Sequence, residues 1–135
     1  MRRGLWSLLL VAAPGLAGAD EPAFVAELSC QPQPGSGRLI CSVDYRSTSA
    51  GRIAWADALV IAAPPSLRPL RARAAATVER EGAAARASIA LVPSAGGGGK
   101  ITLRARAVVC SASGRGDAGA CRPSERELSA ELSLP

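Results

Sequence analysis

Four cysteines in two equal spacings constrain this chain more than any other feature. Ten residues separate Cys30 from Cys41, and ten separate Cys110 from Cys121. Both gaps are filled with turn formers: Gln31-Pro-Gln-Pro-Gly-Ser-Gly-Arg-Leu-Ile40 in the first, Ser111-Ala-Ser-Gly-Arg-Gly-Asp-Ala-Gly-Ala120 in the second. Apolar arms joined by a Gly-rich loop and closed by cysteines predict two disulfide-stapled β-hairpins.

The first twenty residues bear on where such bonds survive. Arg2 and Arg3 precede a compact apolar run, Leu5 to Val11, and Ala17-Gly18-Ala19 places small residues before a cut. This order predicts a secretory signal peptide over residues 1–19 and a single domain over 20–135. The run is shorter than the ~20 apolar residues a membrane-spanning helix needs, and no later stretch approaches that length. An exported chain with an even cysteine count is expected to hold them oxidised. The simple leader and the Ala-, Arg- and Gly-rich composition favour the bacterial periplasm.

Charge excludes rather than assigns. Without Arg2 and Arg3 the chain carries 14 basic and 11 acidic residues, a net charge of +3. Past the leader only Phe24, Tyr45 and Trp55 are aromatic. A mild charge and no series of stacking aromatics argue against nucleic acid as a partner.

Apolar residues recur with a period of two. Ala23 to Cys30 sets Phe24, Ala26, Leu28 and Cys30 against Val25, Glu27 and Ser29; Arg38 to Tyr45 turns Leu39, Cys41, Val43 and Tyr45 inward. Ile53 to Ala62 is more continuously apolar and reads as a central strand. Ala84 to Val92, Lys100 to Val109 and Glu125 to Leu134 complete the set, separated by turn clusters at 47–52, 64–69, 79–82 and 93–99. Leu70 to Val78 fits either a further strand or a short helix. Six or seven short strands in one domain predict an all-β, antiparallel sandwich of immunoglobulin-like type.

The hairpin scheme has an internal check. With Cys110 opposite Cys121, Arg106 faces Glu125, Arg104 faces Glu127 and Lys100 faces Glu131, while Leu103 faces Leu128 on the other side. Opposite charges on one face and apolar pairs on the other suit a two-strand ladder. A rival pairing stays open. Cys41, Trp55 and Cys110 have the order and approximate spacing of the immunoglobulin Cys…Trp…Cys core, which would leave Cys30 to Cys121. Val108 stands where that core carries a tyrosine.

Catalytic motifs are largely missing. The chain has no histidine, hence no Ser-His-Asp triad and no imidazole ligand. Gly96 to Lys100 lacks the flanking residues of a phosphate loop and reads as a turn. Arg115-Gly116-Asp117 matches an adhesion tripeptide by chance in an Arg- and Gly-rich chain. The expectation is a protein that is not an enzyme.

Two features remain. The stretch Asp117-Ala-Gly-Ala-Cys-Arg-Pro-Ser-Glu-Arg-Glu127 resembles the end of the N-terminal sandwich domain of periplasmic disulfide reductases. That resemblance implies the sandwich fold and, at Cys110 and Cys121, a thiol-disulfide exchange or adaptor role. A structural staple is the plainer reading.

The other feature lies in the first hairpin. Pairing Cys30 with Cys41 puts Ser29 opposite Ser42 and sets Glu27 directly opposite Asp44. Like charges facing across a ladder are unfavourable. Two carboxylates on a rigid ladder, with hydroxyls nearby and no soft donor, suit a hard cation such as Ca²⁺ or a lanthanide. Arg46, diagonal to Glu27, offers a simpler neutralisation, and a solvated pair is the other plain alternative. With Ala26-Glu-Leu-Ser-Cys30 and Cys41-Ser-Val-Asp-Tyr45 in a small exported β-domain, the chain resembles landiscernin-type periplasmic lanthanide-binding proteins. The resemblance implies a sparse surface site, a periplasmic metal-carrier partner, and a metal-dependent homodimer in which a second copy completes the ion's shell.

Overall fold

The computed structural model describes residues 22–48, 51–94, 98–111 and 120–133. The leader-like segment, Arg115-Gly116-Asp117, Leu134 and part of the Gly96 to Lys100 turn lie outside them. Nine antiparallel strands form the fold: β1 (Phe24–Gln33), β2 (Arg38–Ser47), β3 (Gly51–Ala62), β4 (Leu67–Pro69), β5 (Arg73–Ala75), β6 (Thr77–Val78), β7 (Ala84–Pro93), β8 (Gly98–Ser111) and β9 (Cys121–Ser133). They make two sheets. One has the order β1-β2-β7-β4, with β6 also on β7; the other runs β5-β3-β8-β9.

Both stapled hairpins form as the cysteine spacing requires. Cys30 bonds Cys41 and Cys110 bonds Cys121, so the inter-sheet alternative is overturned. The first hairpin places Leu28 opposite Val43, Ala26 opposite Tyr45 and Glu27 opposite Asp44. In the second, Leu103 faces Leu128, Arg106 faces Glu125, Arg104 faces Glu127 and Lys100 faces Glu131. The charges do not all pair across the rungs as that register suggests. Arg106 turns to β3 instead, and Arg104 reaches diagonally to Glu125 at 3.9 Å.

The period-two faces close over one core. Phe24, Leu39, Val43, Tyr45 and Leu91 from the first sheet pack with Ile53, Ile101 and Leu103 from the second. Phe24 and Tyr45 stack with ring centres 5.7 Å apart. The buried Tyr45 hydroxyl donates to the Asp57 carbonyl across the sandwich at 2.5 Å, and burial pushes its pKa well above the ordinary range. Ile53 to Ala62 is indeed interior to its sheet, but Trp55 faces outward. A register shift between Ile53 and Trp55 breaks the simple alternation, so Ile53 is buried and Trp55 is not.

Where six or seven strands were expected, nine occur among the described residues. The extra ones come from 67–78, because the chain there switches sheets twice. β4 pairs β7, β5 pairs β3, and β6 returns to β7. Each visit lasts two or three residues, too short to leave a period. β4 itself lies inside the stretch read as a turn. The β6–β7 turn is closed by Gly82 at φ 73°, where a Cβ would come within 2.7 Å of the Ile53 carbonyl oxygen. That oxygen's own residue receives help from the same turn, since the Ile53 amide donates to the Gly82 carbonyl at 2.7 Å.

The β9 edge is guarded by charge. Arg126 stands opposite the buried Ala105 and donates from Nε to the Phe24 carbonyl at 3.1 Å. An inward-pointing charge on an edge strand discourages pairing with another chain.

Candidate functional site

The carboxylate pair predicted in the first hairpin sits on the outer face of its sheet. The hydrogen-bonded ladder brings Glu27 opposite Asp44, Asp44 opposite Arg86 on β7, and Arg86 opposite Thr77 on β6. This row borders an open hollow of about 610 Å³, lined among others by Glu27, Asp44, Arg46, Thr77, Glu79 and Arg86. Two rungs along on the same face, the Ser42 and Ser88 hydroxyls lie 3.2 Å apart.

The neutralising cation is Arg86 rather than Arg46. Its Nε donates to Asp44 Oδ1 at 2.7 Å and its Nη2 to Oδ2 at 3.2 Å. This two-pronged bond holds the Asp44 carboxyl below the usual carboxylate range, with Arg46 adding a weaker field. Glu27 is exposed and makes no ion pair within the described residues. The side chains of Arg86 and Asp44 are 64% and 40% exposed, so the pair is solvated and open to competition. Among the described residues, no group of three or more His, Cys, Asp or Glu is assembled to hold a metal ion. The ladder thus provides two carboxylates, one of them already engaged.

A second constellation, on the outer face of the other sheet, escapes sequence reading. Asp57 has no exposed surface, although it points away from the core. Two guanidinium groups cover it. Arg106 donates from Nε to Oδ1 at 2.8 Å and from Nη2 to Oδ2 at 2.5 Å; Arg73 donates from Nε to Oδ2 at 2.5 Å. Burial alone would raise the Asp57 pKa, but the hydrogen bonds from Arg106 and Arg73 together outweigh it and hold the carboxyl below its ordinary range. Both guanidinium carbons also lie over the Trp55 ring, at 5.8 Å for Arg73 and 5.6 Å for Arg106. The available signal was an acid in the middle of an apolar central strand, with Arg73, Arg104 and Arg106 in the strands that end up flanking it.

The Cys110–Cys121 disulfide lies beyond Trp55 on that sheet. Cys121 is exposed, whereas Cys110 is 5% exposed. Two disulfides and no free cysteine place the protein among those of oxidising, extracytoplasmic compartments. No helix of the described residues is long and apolar enough to cross a membrane. Comparison with protein families, with curated proteins and with solved structures finds no match.

Proposed function

We propose that this chain is a non-enzymatic, exported binding protein that carries a hard cation, a lanthanide or Ca²⁺, on Glu27 and Asp44. The observation behind this reading is the direct opposition of the two carboxylates on a ladder stapled by Cys30–Cys41, at the mouth of a hollow that Glu79 and Thr77 also line. Oxygen donors of this kind suit a cation of high charge density and offer little to Zn²⁺ or Cu²⁺. Arg86 is the competitor such an ion displaces from Asp44. Hard cations take about six to eight oxygen ligands, so two carboxylates leave most of the shell to water, to a carrier partner, or to a second copy in a metal-bridged homodimer. The leader-like first 19 residues and the Ala-, Arg- and Gly-rich composition favour the periplasm over the medium. The resemblance to landiscernin-type proteins points the same way.

Thermal unfolding across La³⁺, Ca²⁺, Zn²⁺ and Cu²⁺ tests the reading. La³⁺ should raise the melting temperature most, by mass action on the folded state, and Asp44→Asn should abolish the shift. Arg86→Gln should enlarge it by removing the competitor. Equal shifts in parent and Asp44→Asn, or no shift with La³⁺ at micromolar excess, would refute the assignment.

A second reading has one observation in its favour. Cys121 is the exposed half of the Cys110–Cys121 disulfide, as a thiol-disulfide exchange or adaptor module requires. Ready reduction of Cys110–Cys121 by a thioredoxin-like dithiol, with Cys30–Cys41 resisting, would select it.

A further inference from the structure

We propose that the outer face of β3, β8 and β9, on the opposite side of the sandwich from Glu27 and Asp44, is a second binding surface that takes a carboxylate borne on a flat apolar group. Trp55 is the platform, and Arg73 and Arg106 are the cationic rim. The chain commits three aromatic residues to this domain. Phe24 and Tyr45 are fully buried, while Trp55 is 38% exposed, turned outward by the irregularity after Ile53. An indole left at the surface of an aromatic-poor protein, between two anchored arginines, is an unusual use of a scarce side chain.

The anchoring is the second observation. Arg106 spends Nε and Nη2 on Asp57, but Arg73 spends only Nε. The Arg73 side chain is 55% exposed, and among the described residues its two terminal nitrogens have no partner. They remain available as a two-pronged donor, the geometry that recognises carboxylates. Asp57 balances one guanidinium of the two, and Glu125, opposite Arg106, offsets part of the other, so the uncompensated positive charge lies toward Arg73. Buried ion pairs of this type are not in themselves a strong source of stability. What this one does provide is two guanidiniums fixed beside an aromatic face.

Space for the apolar group opens beside Trp55 and Arg106; Arg73 is not among its walls and meets it only across the Trp55 ring. Trp55, Val108 and Pro123 stand in one row across three strands, and a hollow of about 460 Å³ opens over that row, with Arg106, Ser124 and Glu125 on its walls. Glu125 sits on the β9 side, near Arg104, and repels an acid there. The ligand is therefore oriented, with its ring over Val108 against Trp55 and its carboxylate toward Arg73. Two sources carry this chemistry: a free aromatic acid, and the C-terminal carboxylate of a peptide ending in an aromatic residue.

The test uses the full chain with Trp6→Phe, so that one indole remains. Indole Nε1–H and arginine Nε–H resonances are followed by ¹⁵N NMR during titration with phenylacetate, phenylacetamide, N-acetyl-glycyl-phenylalanine and its C-terminal amide. At least one acid should shift the Trp55 signal saturably at millimolar concentration, with its neutral amide at least about tenfold weaker, as loss of a charge-assisted pair implies. Arg73→Gln should weaken the acid by a similar factor and Arg73→Lys by less. Binding of phenylacetate alone identifies a small aromatic acid as the source; binding of the acetylated dipeptide alone identifies a chain end. The proposal fails if neither acid shifts the indole, if an amide binds as well as its acid, or if Arg73→Gln binds like the parent. The acid–amide comparison needs no variant, so it stands even where a substitution disturbs folding.

Discussion

Replacing Asp57 tests the physical account of the outer sheet most directly. Asp57→Asn keeps the shape and removes the charge that gathers Arg73 and Arg106. Three hydrogen bonds to an ionised acceptor are at stake, each worth ~1.5–3 kcal/mol in a fully desolvated setting. Here both arginines retain solvent, at 55% and 36% side-chain exposure, and regain water when released. The gross figure is thus cut to a net loss of about 2 kcal/mol, a fall of about 1–2 M in the urea midpoint for a domain of this size. The reverse perturbation, Arg73→Gln with Arg106→Gln, removes both cations and leaves the Asp57 charge under two neutral amides, and should destabilise more than Asp57→Asn does. The pH dependence has a definite sign. The folded Asp57 pKa lies below its ordinary value, so the group's contribution is complete above the unfolded pKa of ~3.9 and is lost as the pH falls toward the folded one. Urea midpoints by far-ultraviolet circular dichroism between pH 7 and pH 3 should fall less steeply for Asp57→Asn than for the parent. An unchanged acid limb, or a double arginine variant more stable than Asp57→Asn, would refute the reasoning.

Peptide mapping without reductant should link Cys30 to Cys41 and Cys110 to Cys121, with no free thiol in those peptides. Removing either bond as a paired Cys→Ala change should cost about 3 kcal/mol on a chain-entropy reckoning for so short a loop, measured by the urea midpoint. Gly82→Ala forces a side chain into a left-handed turn against the Ile53 carbonyl and should lose about 1–3 kcal/mol; a neutral result would mean the turn relaxes freely. Leu103→Ala, at a fully buried position between the sheets, should lose roughly 2–5 kcal/mol by calorimetry.

What could be read in advance separates cleanly by distance along the chain. Both hairpins were legible because each cysteine pair pins an antiparallel register over neighbouring residues, and the alternation of apolar and polar side chains agrees with that register. Glu27 opposite Asp44 follows from this local logic alone, and the structure reproduces it. The partner of Asp44 does not follow. Arg86 reaches it only because β2 pairs β7 across some forty intervening residues, a choice no local pattern dictates. The simple expectation that Arg46 does the neutralising fails for that reason. Asp57 repeats the lesson on the other sheet, since Arg73 and Arg106 arrive from strands on either side of β3. Trp55 adds a different obstacle. The register irregularity after Ile53 puts Trp55 on the face opposite to Ile53, so the indole stands at the surface among guanidiniums rather than in the core that the immunoglobulin-like Cys…Trp…Cys order implied. The consequence for both candidate sites is the same. Their acids lie on strands whose course was legible, whereas the arginines that engage them come from non-local pairing. Substituting Arg86 or Arg73, rather than the acids alone, therefore distinguishes a binding surface from a neutralised one.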